Sequence, residues 1–310
     1  MKIENLKFID LFAGCGGLSK GFELAGFECI GFVEFWQSAI DTHLKNCTGR
    51  LIGKDILDIK DSEIIKFKGV KVIVGGPPCQ GFSLTGKRDP NDSRNRLFLE
   101  FVRFLRILRP EYFVMENVPG IGSMVNLEGK SILGEIIGYF NKEGYKVDIK
   151  VMDSSNYGVP QKRKRAIFIG NRVDKENKYP GFKGKVFLKE VLDLPYKEIP
   201  EIQHVYEKAA IKKSYTFSFV KPGGNYGTFR SNNRRLIMNS FSYTITKNGR
   251  YIHPVFNRLI SVREAARIQS FPDDFMFVGG KETMYAQIGN AVPVLMAKAI
   301  AQEIKGCLNG

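Results

Sequence analysis

The first 170 residues of this 310-residue chain alternate short apolar runs of strand length with longer amphipathic stretches. That alternation restricts the fold more than any other feature. LKFIDLF is a compact apolar run, followed by glycines and a helical stretch, LSKGFELA, that Gly26 is placed to stop. FECIGFVE predicts a second strand and WQSAIDTHLKN a helix. KVIVGG is a strand of the buried type, NRLFLEFVRFLRILR an amphipathic helix and YFVMEN another strand. SILGEIIGYFNKEG, YKVDIKVMD and RKRAIFIG add a helix and two strands. Strands spaced by helices of this length predict parallel β-α-β units with right-handed crossovers, an α/β fold whose ligands bind outside the carboxyl ends of the strands.

After about residue 172 the rhythm breaks. Residues 172–257 are rich in Lys, Tyr, Phe, Asn, Gly and Pro, with short strand-like pieces such as SYTFSFV and FSYTIT, and predict a smaller, irregular, basic domain. A helix returns at SVREAARIQSF, where Ser261 and Glu264 have the spacing of a capping box. NAVPVLMAKAIAQEIKG reads as a final helix, capped by Asn290 or a neighbour, with an apolar stripe that suits packing onto the first domain.

Charge narrows the partner. The chain carries 47 Lys and Arg against 32 Asp and Glu, a formal net charge of +15. Ten of those basic residues fall between Lys208 and Arg258 with no acidic residue among them, and Tyr226, Phe229 and Tyr243 are interleaved. A polyanion, nucleic acid first, is the natural partner of such a field, against the plainer alternative of a solvated basic surface. Hydrophobic residues at 43% and charged residues at 25% exclude a disordered chain. No run approaches the ~20 apolar residues of a membrane span, and MKIENLKFIDLFAG lacks the unbroken apolar stretch of a signal peptide. Five cysteines without a CxxC pair argue against a disulfide framework or a zinc ribbon, so reduced thiols and an intracellular, cytoplasmic setting are expected.

Four stretches carry chemistry. The turn Phe12-Ala13-Gly14-Cys15-Gly16-Gly17-Leu18 between strand and helix lets backbone approach a ligand closely. Ser19 departs from a nicotinamide-type GxGxxG. Glu34, twenty residues beyond Gly14, ends the second strand where a carboxylate suits ribose hydroxyls. The plain alternative is a tight packing turn. Next, GGPPCQGFS sets Cys79 on a rigid Pro-Pro step at the mouth of a polar loop, a placement for a nucleophile more than for a small core hydrophobe. Cys15, Cys29, Cys47 and Cys307 lack that setting and are expected to be inert. Glu116, in ENV at the end of YFVM, should share the sheet edge with Cys79 as a general acid, or else serve as a structural or capping glutamate. In QKRKR, strand alternation puts Gln161, Arg163 and Arg165 on one face, which needs a polar ligand or a carboxylate partner, or a solvated edge.

In order, DLFAGCGGLSKGF, Glu34, Asp55-Ile56, GGPPCQGFS, ENV, QKRKR, RLISVREAARIQSFP and QIGNAVP span most of the chain. Together they resemble the DNA (cytosine-5)-methyltransferases of the prokaryotic restriction-modification type, with a long variable basic segment between the sixth and seventh motifs. The resemblance implies a Rossmann-like, S-adenosylmethionine-dependent methyltransferase sheet in residues 1–172 plus 285–310, and a target-recognition domain with its hinge in 173–284. It implies S-adenosylmethionine as cofactor, S-adenosylhomocysteine as product, and no metal. Phe12, Ala13, Gly14, Cys15, Gly16, Gly17 and Leu18 would meet the cofactor's amino-acid part and Glu34 its ribose. Phe35 or Trp36 would cover the adenine, Asp55 and Ile56 contact the base, and Pro78, Leu97, Asn290, Ala291 and Val292 complete the pocket. Cys79, Glu116, Arg163 and Arg165 would be the catalytic set. Gln80, Ser83, Lys87, Arg88, Gln161, Thr228, Arg230, Arg234, Arg235 and Arg250 would contact DNA.

The partner implied is double-stranded DNA, with no membrane, a monomeric protein of a bacterial or archaeal cytosol, and a cognate restriction endonuclease that is not physically bound. An RNA cytosine-5 methylase is the main rival. Its Cys-Phe-Thr signature beyond the catalytic core is missing, since no cysteine lies between Cys79 and Cys307. A catalytically inactive DNA-binding member is a further rival, opposed by the presence of Cys79, Glu116 and Arg165 together.

Overall fold

The computed structural model describes residues 6–78, 93–125, 129–192, 218–220, 226–228, 234–247, 251–256 and 258–309. Seven strands, β1 (Lys7–Leu11), β2 (Glu28–Val33), β3 (Arg50–Gly53), β4 (Val72–Gly75), β5 (Tyr112–Asn117), β6 (Lys146–Asp153) and β7 (Lys164–Asn171), form one sheet in the order β3-β2-β1-β4-β5-β7-β6. The first five are parallel, as the alternation predicts. β7 is not: it runs antiparallel to both β5 and β6. Only ten residues separate β6 from β7, too few for a crossover helix, so the chain must reverse. β3 was not anticipated; its four residues are too few to show a period.

The helices flanking the sheet are α1 (Gly17–Leu24), α2 (Gln37–Asn46), α3 (Asp61–Ile64), α4 (Ser93–Leu108) and α5 (Ile132–Lys142). Later come α6 (Lys189–Leu192), a small antiparallel pair β8 (Ser218–Val220) and β9 (Tyr226–Thr228), then α7 (Val262–Ile268), α8 (Lys281–Asn290) and α9 (Val294–Asn309). Ser261 and Glu264 make the expected capping box on α7. The C-terminal stretch differs from expectation. Asn290 is the last residue of α8 rather than the cap of the final helix, and Ala291, Val292 and Pro293 separate the two helices. Gly26, at φ 89°, ends α1 as expected.

Alternation along each buried strand divides the core into two layers. Ile9, Ile73, Phe113, Met115 and Phe168 face α4 and α5, meeting Phe98, Phe101, Leu105, Ile136 and Phe140. Phe8, Val72, Val74, Tyr112, Val114, Ile167 and Ile169 face the other way, onto Leu18 and Phe22 of α1 and Met296, Ala297, Ile300 and Ile304 of α9. A third cluster joins Leu188, Leu192, Leu236, Ile245, Tyr251, Ile260, Ile268, Phe271, Tyr285 and Ile288 to Cys15 in the first turn. The later, irregular part of the chain thus packs on the turn that follows β1.

α1 and α9 approach through Gly21. A methyl there would stand 2.4 Å from the Ala297 Cβ and 2.7 Å from the Val294 carbonyl oxygen. Gly21→Ala gains ~1 kcal/mol of helix propensity but forces two helices apart at ~1–3 kcal/mol or more. The collision involves backbone, so it should win, and the variant should show a lower urea midpoint. An equal or higher midpoint would contradict the packing.

Candidate active site

β1 sits between β2 and β4, so the chain leaves it in one direction for β2 and returns on the other side for β4. The carboxyl ends of strands around such a reversal form a crevice. The turn after β1 is bent into it by three left-handed residues, Phe12 at φ 60°, Gly14 at 56° and Gly16 at 97°. Glycine adopts this region freely, whereas for Phe12 it is strained. Two bonds fix the shape. Ala13 N–H donates to the Val33 carbonyl at 3.0 Å, and Gly14 N–H donates to Glu34 Oε2 at 2.8 Å. The other oxygen, Oε1, accepts from Trp36 N–H at 2.8 Å. Burial pushes the Glu34 carboxyl above its usual range, while the N–H donors of Trp36 and Gly14 oppose that shift.

A cavity of about 680 Å³ opens there. Of the residues expected at a cofactor, Phe12, Ala13, Gly14, Cys15, Gly17, Leu18, Glu34, Phe35, Trp36, Asp55, Ile56, Pro78, Leu97, Asn290, Ala291 and Val292 line it. Gly16 does not. It precedes α1 and turns its back on the cavity, since a methyl there would meet Cys47 Sγ at 3.0 Å and His43 Cδ2 at 3.1 Å. Val33, Lys54, Leu57, Gly76 and Gln287 also line the cavity and were not anticipated. All five adjoin or lie inside the motifs, so adjacency was the available signal. Gly17 allows closure from the far side, because a methyl there would stand 2.5 Å from the Val292 carbonyl oxygen.

Glu116 lines the same cavity. It lies on β5, the parallel neighbour of β4, and its Oε1 accepts from Arg165 Nε at 2.7 Å. Arg165 Nη1 also donates to the Lys164 carbonyl at 2.7 Å. Pro78, which precedes Cys79, is in the cavity wall, and the Pro77 carbonyl accepts from Asn117 Nδ2 at 3.2 Å. Cys79, Gln80, Ser83, Lys87, Arg88, Arg230 and Arg250 lie outside the described residues. Thr228 ends β9.

Gln161 and Arg163 correct the strand expectation. β7 begins at Lys164, and both side chains turn inward instead of sharing a face with Arg165. Gln161 is fully buried: its amide donates to Gln269 Oε1 at 2.6 Å and its carbonyl accepts from Ile245 N–H at 2.6 Å. It is not placed to touch DNA. Arg163, 2% exposed, donates to the carbonyls of Ile245 at 2.9 Å and Gly289 at 3.0 Å. Gln269 Nε2 continues to the Ile288 carbonyl at 2.7 Å. These residues fasten segment 242–246 and the end of α8 to the strand that carries Arg165. Arg235, expected at DNA, is half-buried and donates to the His253 carbonyl at 2.8 Å. Arg234 is exposed, its guanidinium 5.0 Å from the Tyr243 ring centroid.

The chain matches the family described as C-5 cytosine-specific DNA methylase over residues 6–306. It belongs to that family. Among its relatives, the type II methyltransferase M.DdeI of Desulfomicrobium norvegicum is 34% identical over 96% of this chain and 88% of its own length. M.FnuDI of Fusobacterium nucleatum, also a type II methyltransferase, is 36% identical over 98% and 95%. A solved structure titled as a DNA modification methyltransferase encoded within an E. coli prophage superposes with a TM-score of 0.74 at 29% identity, covering 98% of this chain and all of that one. The Entamoeba histolytica methyltransferase EhMeth shares the fold, with a TM-score of 0.74 at 18% identity over 98% of this chain and 99% of its own. The protein is thus a C-5 cytosine DNA methyltransferase with the Rossmann-like sheet of S-adenosylmethionine-dependent enzymes.

In this methyltransferase Arg163→Ala strands two buried carbonyls, at about 1–3 kcal/mol each. Urea unfolding should show a loss of order 2–6 kcal/mol, against within about 0.5 kcal/mol for Lys54→Ala at the exposed rim. Equal stabilities would refute the inward role of Arg163.

Proposed function

We propose that the protein transfers a methyl group from S-adenosylmethionine to C5 of a cytosine flipped out of a short, specific double-stranded DNA sequence, through a covalent adduct of Cys79 with C6. The modification enzyme of a restriction-modification system fits the type II relatives. The observation that carries the reading is one cavity holding both the Glu34 turn and Glu116.

The residues present fit the cofactor. A methyl built on Gly14 meets nothing within 4 Å, so the turn is an open cradle. Each oxygen of Glu34 accepts one N–H and keeps lone pairs for a diol. Phe35, 77% exposed at the rim, offers a ring face to adenine, with Trp36 beside it. When bound, S-adenosylmethionine supplies an electrophilic methyl on positive sulfur, which C5 accepts.

The chain's own residues prepare the base. The Cys79 thiolate forms the S–C6 bond, and the ring electrons displaced toward N3 leave C5 enamine-like. Glu116 hydrogen-bonds N3 and relieves the charge that builds in the ring, while Arg165, paired with its Oε1, offers a guanidinium N–H to O2. Loss of the C5 proton to a base and departure of the thiolate restore the C5=C6 bond. A base inside a duplex is beyond reach of a cavity, so the cytosine must leave the stack. Gln80 to Arg94 would close over it, with Ser83, Lys87 and Arg88 near phosphates. Arg234, Arg230, Arg250 and Thr228 remain the proposed DNA contacts of the basic segment, Arg to guanine being the commonest specific pairing.

Unmethylated genomic DNA incubated with the protein and S-adenosylmethionine should acquire 5-methylcytosine in one short motif, as read by base-resolution sequencing. Cys79→Ala should abolish turnover and leave DNA binding. No methylation with cofactor binding intact would turn the substrate to RNA or indicate an inactive member. Affinity for DNA should fall roughly a thousandfold between low and moderate salt if about six phosphates are neutralised. A flat salt response would remove the basic segment from the interface.

A further inference from the structure

β3 leads into residues 54–60, whose regular structure is one 3₁₀ turn, Ile56–Asp58. Lys54, Asp55, Ile56 and Leu57 of this segment line the cavity. Ile56 and Ile59 anchor it in the core cluster that holds Phe98 and Phe101 of α4. Gly53 lets the segment fold back, because a methyl there would stand 2.7 Å from Ile59 Cγ1. Within the segment, Asp55 Oδ1 accepts from Leu57 N–H at 2.9 Å, and Asp58 N–H donates to the Asp55 carbonyl at 3.2 Å.

The carbonyls of Ile56 and Ile59 are held from another element. Arg103 of α4 donates from Nη2 to both, at 3.2 and 2.9 Å. Carboxylates fix its other nitrogens: Nε donates to Glu100 Oε2 at 2.6 Å, and Nη1 to Asp61 Oδ1 of α3 at 2.5 Å. Asp61 is 66% exposed, so its pair adds little energy. What the two carboxylates set is direction, because the guanidinium is a rigid planar fork whose edges cannot turn independently. Arg103 itself is not in the cavity wall, and it reaches the cavity through the segment it holds.

The position of that segment matters to a flat ligand. With a ribose diol on Glu34, a base extends past Phe35 and Trp36, and residues 54–57 are the lining that meets its edge. A carboxylate is an acceptor only. One Asp55 oxygen is committed to Leu57 N–H, and the other suits an exocyclic amino group. Adenine offers that donor at C6, whereas hypoxanthine carries a carbonyl there, which a carboxylate repels.

We propose that Arg103 is a positioning residue through which the cavity tells adenine from hypoxanthine: by holding the Ile56 and Ile59 carbonyls it keeps the Asp55 carboxylate against the amino edge of the base. This rests on the reading that the cavity takes S-adenosylmethionine. Ile56 and Ile59 keep the segment attached when Arg103 is lost, so the wall loosens without unfolding.

Calorimetric dissociation constants of S-adenosylhomocysteine and S-inosylhomocysteine, which differ at purine C6 and N1, measure the discrimination. Wild type should bind the adenosyl ligand roughly a hundredfold tighter, for one hydrogen bond to a charged group lost and one repulsion gained. Arg103→Met should cut that ratio roughly tenfold by weakening the adenosyl ligand alone. In turnover the KM for S-adenosylmethionine should rise about tenfold while kcat at saturation changes less than about threefold, the pattern of lost uniform binding. A general loosening of the pocket weakens both ligands by one factor, so an unchanged ratio overturns the proposal. In an Asp55→Ala background Arg103→Met should lower the ratio no further, and a second fall of similar size overturns the route through Asp55. A wild-type ratio near one overturns the proposal alone, whereas binding of neither ligand overturns the cofactor reading and this proposal with it. Should Arg103→Met not fold, Arg103→Lys keeps the charge without the fork and should show the same fall. A wild-type ratio in that variant overturns the proposal.

Discussion

One carboxylate with two backbone N–H donors sets the shape of the site. Glu34 follows β2 and reaches Gly14 after β1 and Trp36 two residues on, each at 2.8 Å. Charge-assisted bonds of this kind offset the cost of burying the carboxylate. They also over-determine the strained turn, where Phe12 would otherwise leave the left-handed region. With the turn held, Gly17 can pass beneath the Val292 carbonyl, and α9 can seat Ala297 against Gly21. The cavity, its far wall and the helix that covers the sheet therefore follow from one clamp.

A second set of buried polar groups does for the later segment what Glu34 does for the turn. Gln161, Arg163 and Gln269 bind Ile245, Ile288 and Gly289, while segment 160–162, ahead of β7, exchanges backbone bonds with Ser242. Gly289 makes the approach possible, as a methyl there would stand 2.4 Å from Lys247 N. The consequence is mechanical. Arg165, two residues beyond Arg163, is paired with Glu116, so the strand that holds the carboxyl in place is the one that anchors segment 242–246. Exposed Tyr243 and Arg234 are thereby referred to the same frame as the cavity.

The parallel half of the sheet apart from β3, and most of the cavity wall, were legible because the first five motifs lie at the carboxyl ends of β1 to β5, where apolar runs give way to glycine or acidic residues. Other features were not legible, each for a physical reason. β7 reverses because the β6–β7 link is too short for a helix, a fact about connection length that apolar patterning does not register. α8 was missed because KETMYAQIGN places few apolar residues at helical spacing; its helix is held by contacts of Tyr285 and Ile288 in the third core cluster. Gln161 and Arg163 were assigned to a strand face by extending alternation three residues beyond where β7 starts. A polar side chain in such a run is as readily spent on distant carbonyls as on a ligand, and only the fold brings Ile245 and Gly289 within reach.

Charge raises a last difficulty, whose resolution lies in where the charges sit. A protein of net charge +15 suits a polyanion, yet the proposed cofactor is itself a cation. Screening separates the two demands. Beyond about 8–10 Å at physiological salt, exposed lysines and arginines contribute little to the potential in the cavity. Buried groups are screened much less, and those nearest are acidic: Glu34 and Glu116 in the wall, Asp10 beneath it, with Asp55 at the rim. Glu116 is already neutralised by Arg165, and Asp55 Oδ1 accepts from Leu57 N–H in open water. Among the described residues Glu34 has no cation beside it, and burial raises its carboxyl while the N–H groups of Trp36 and Gly14 oppose that shift.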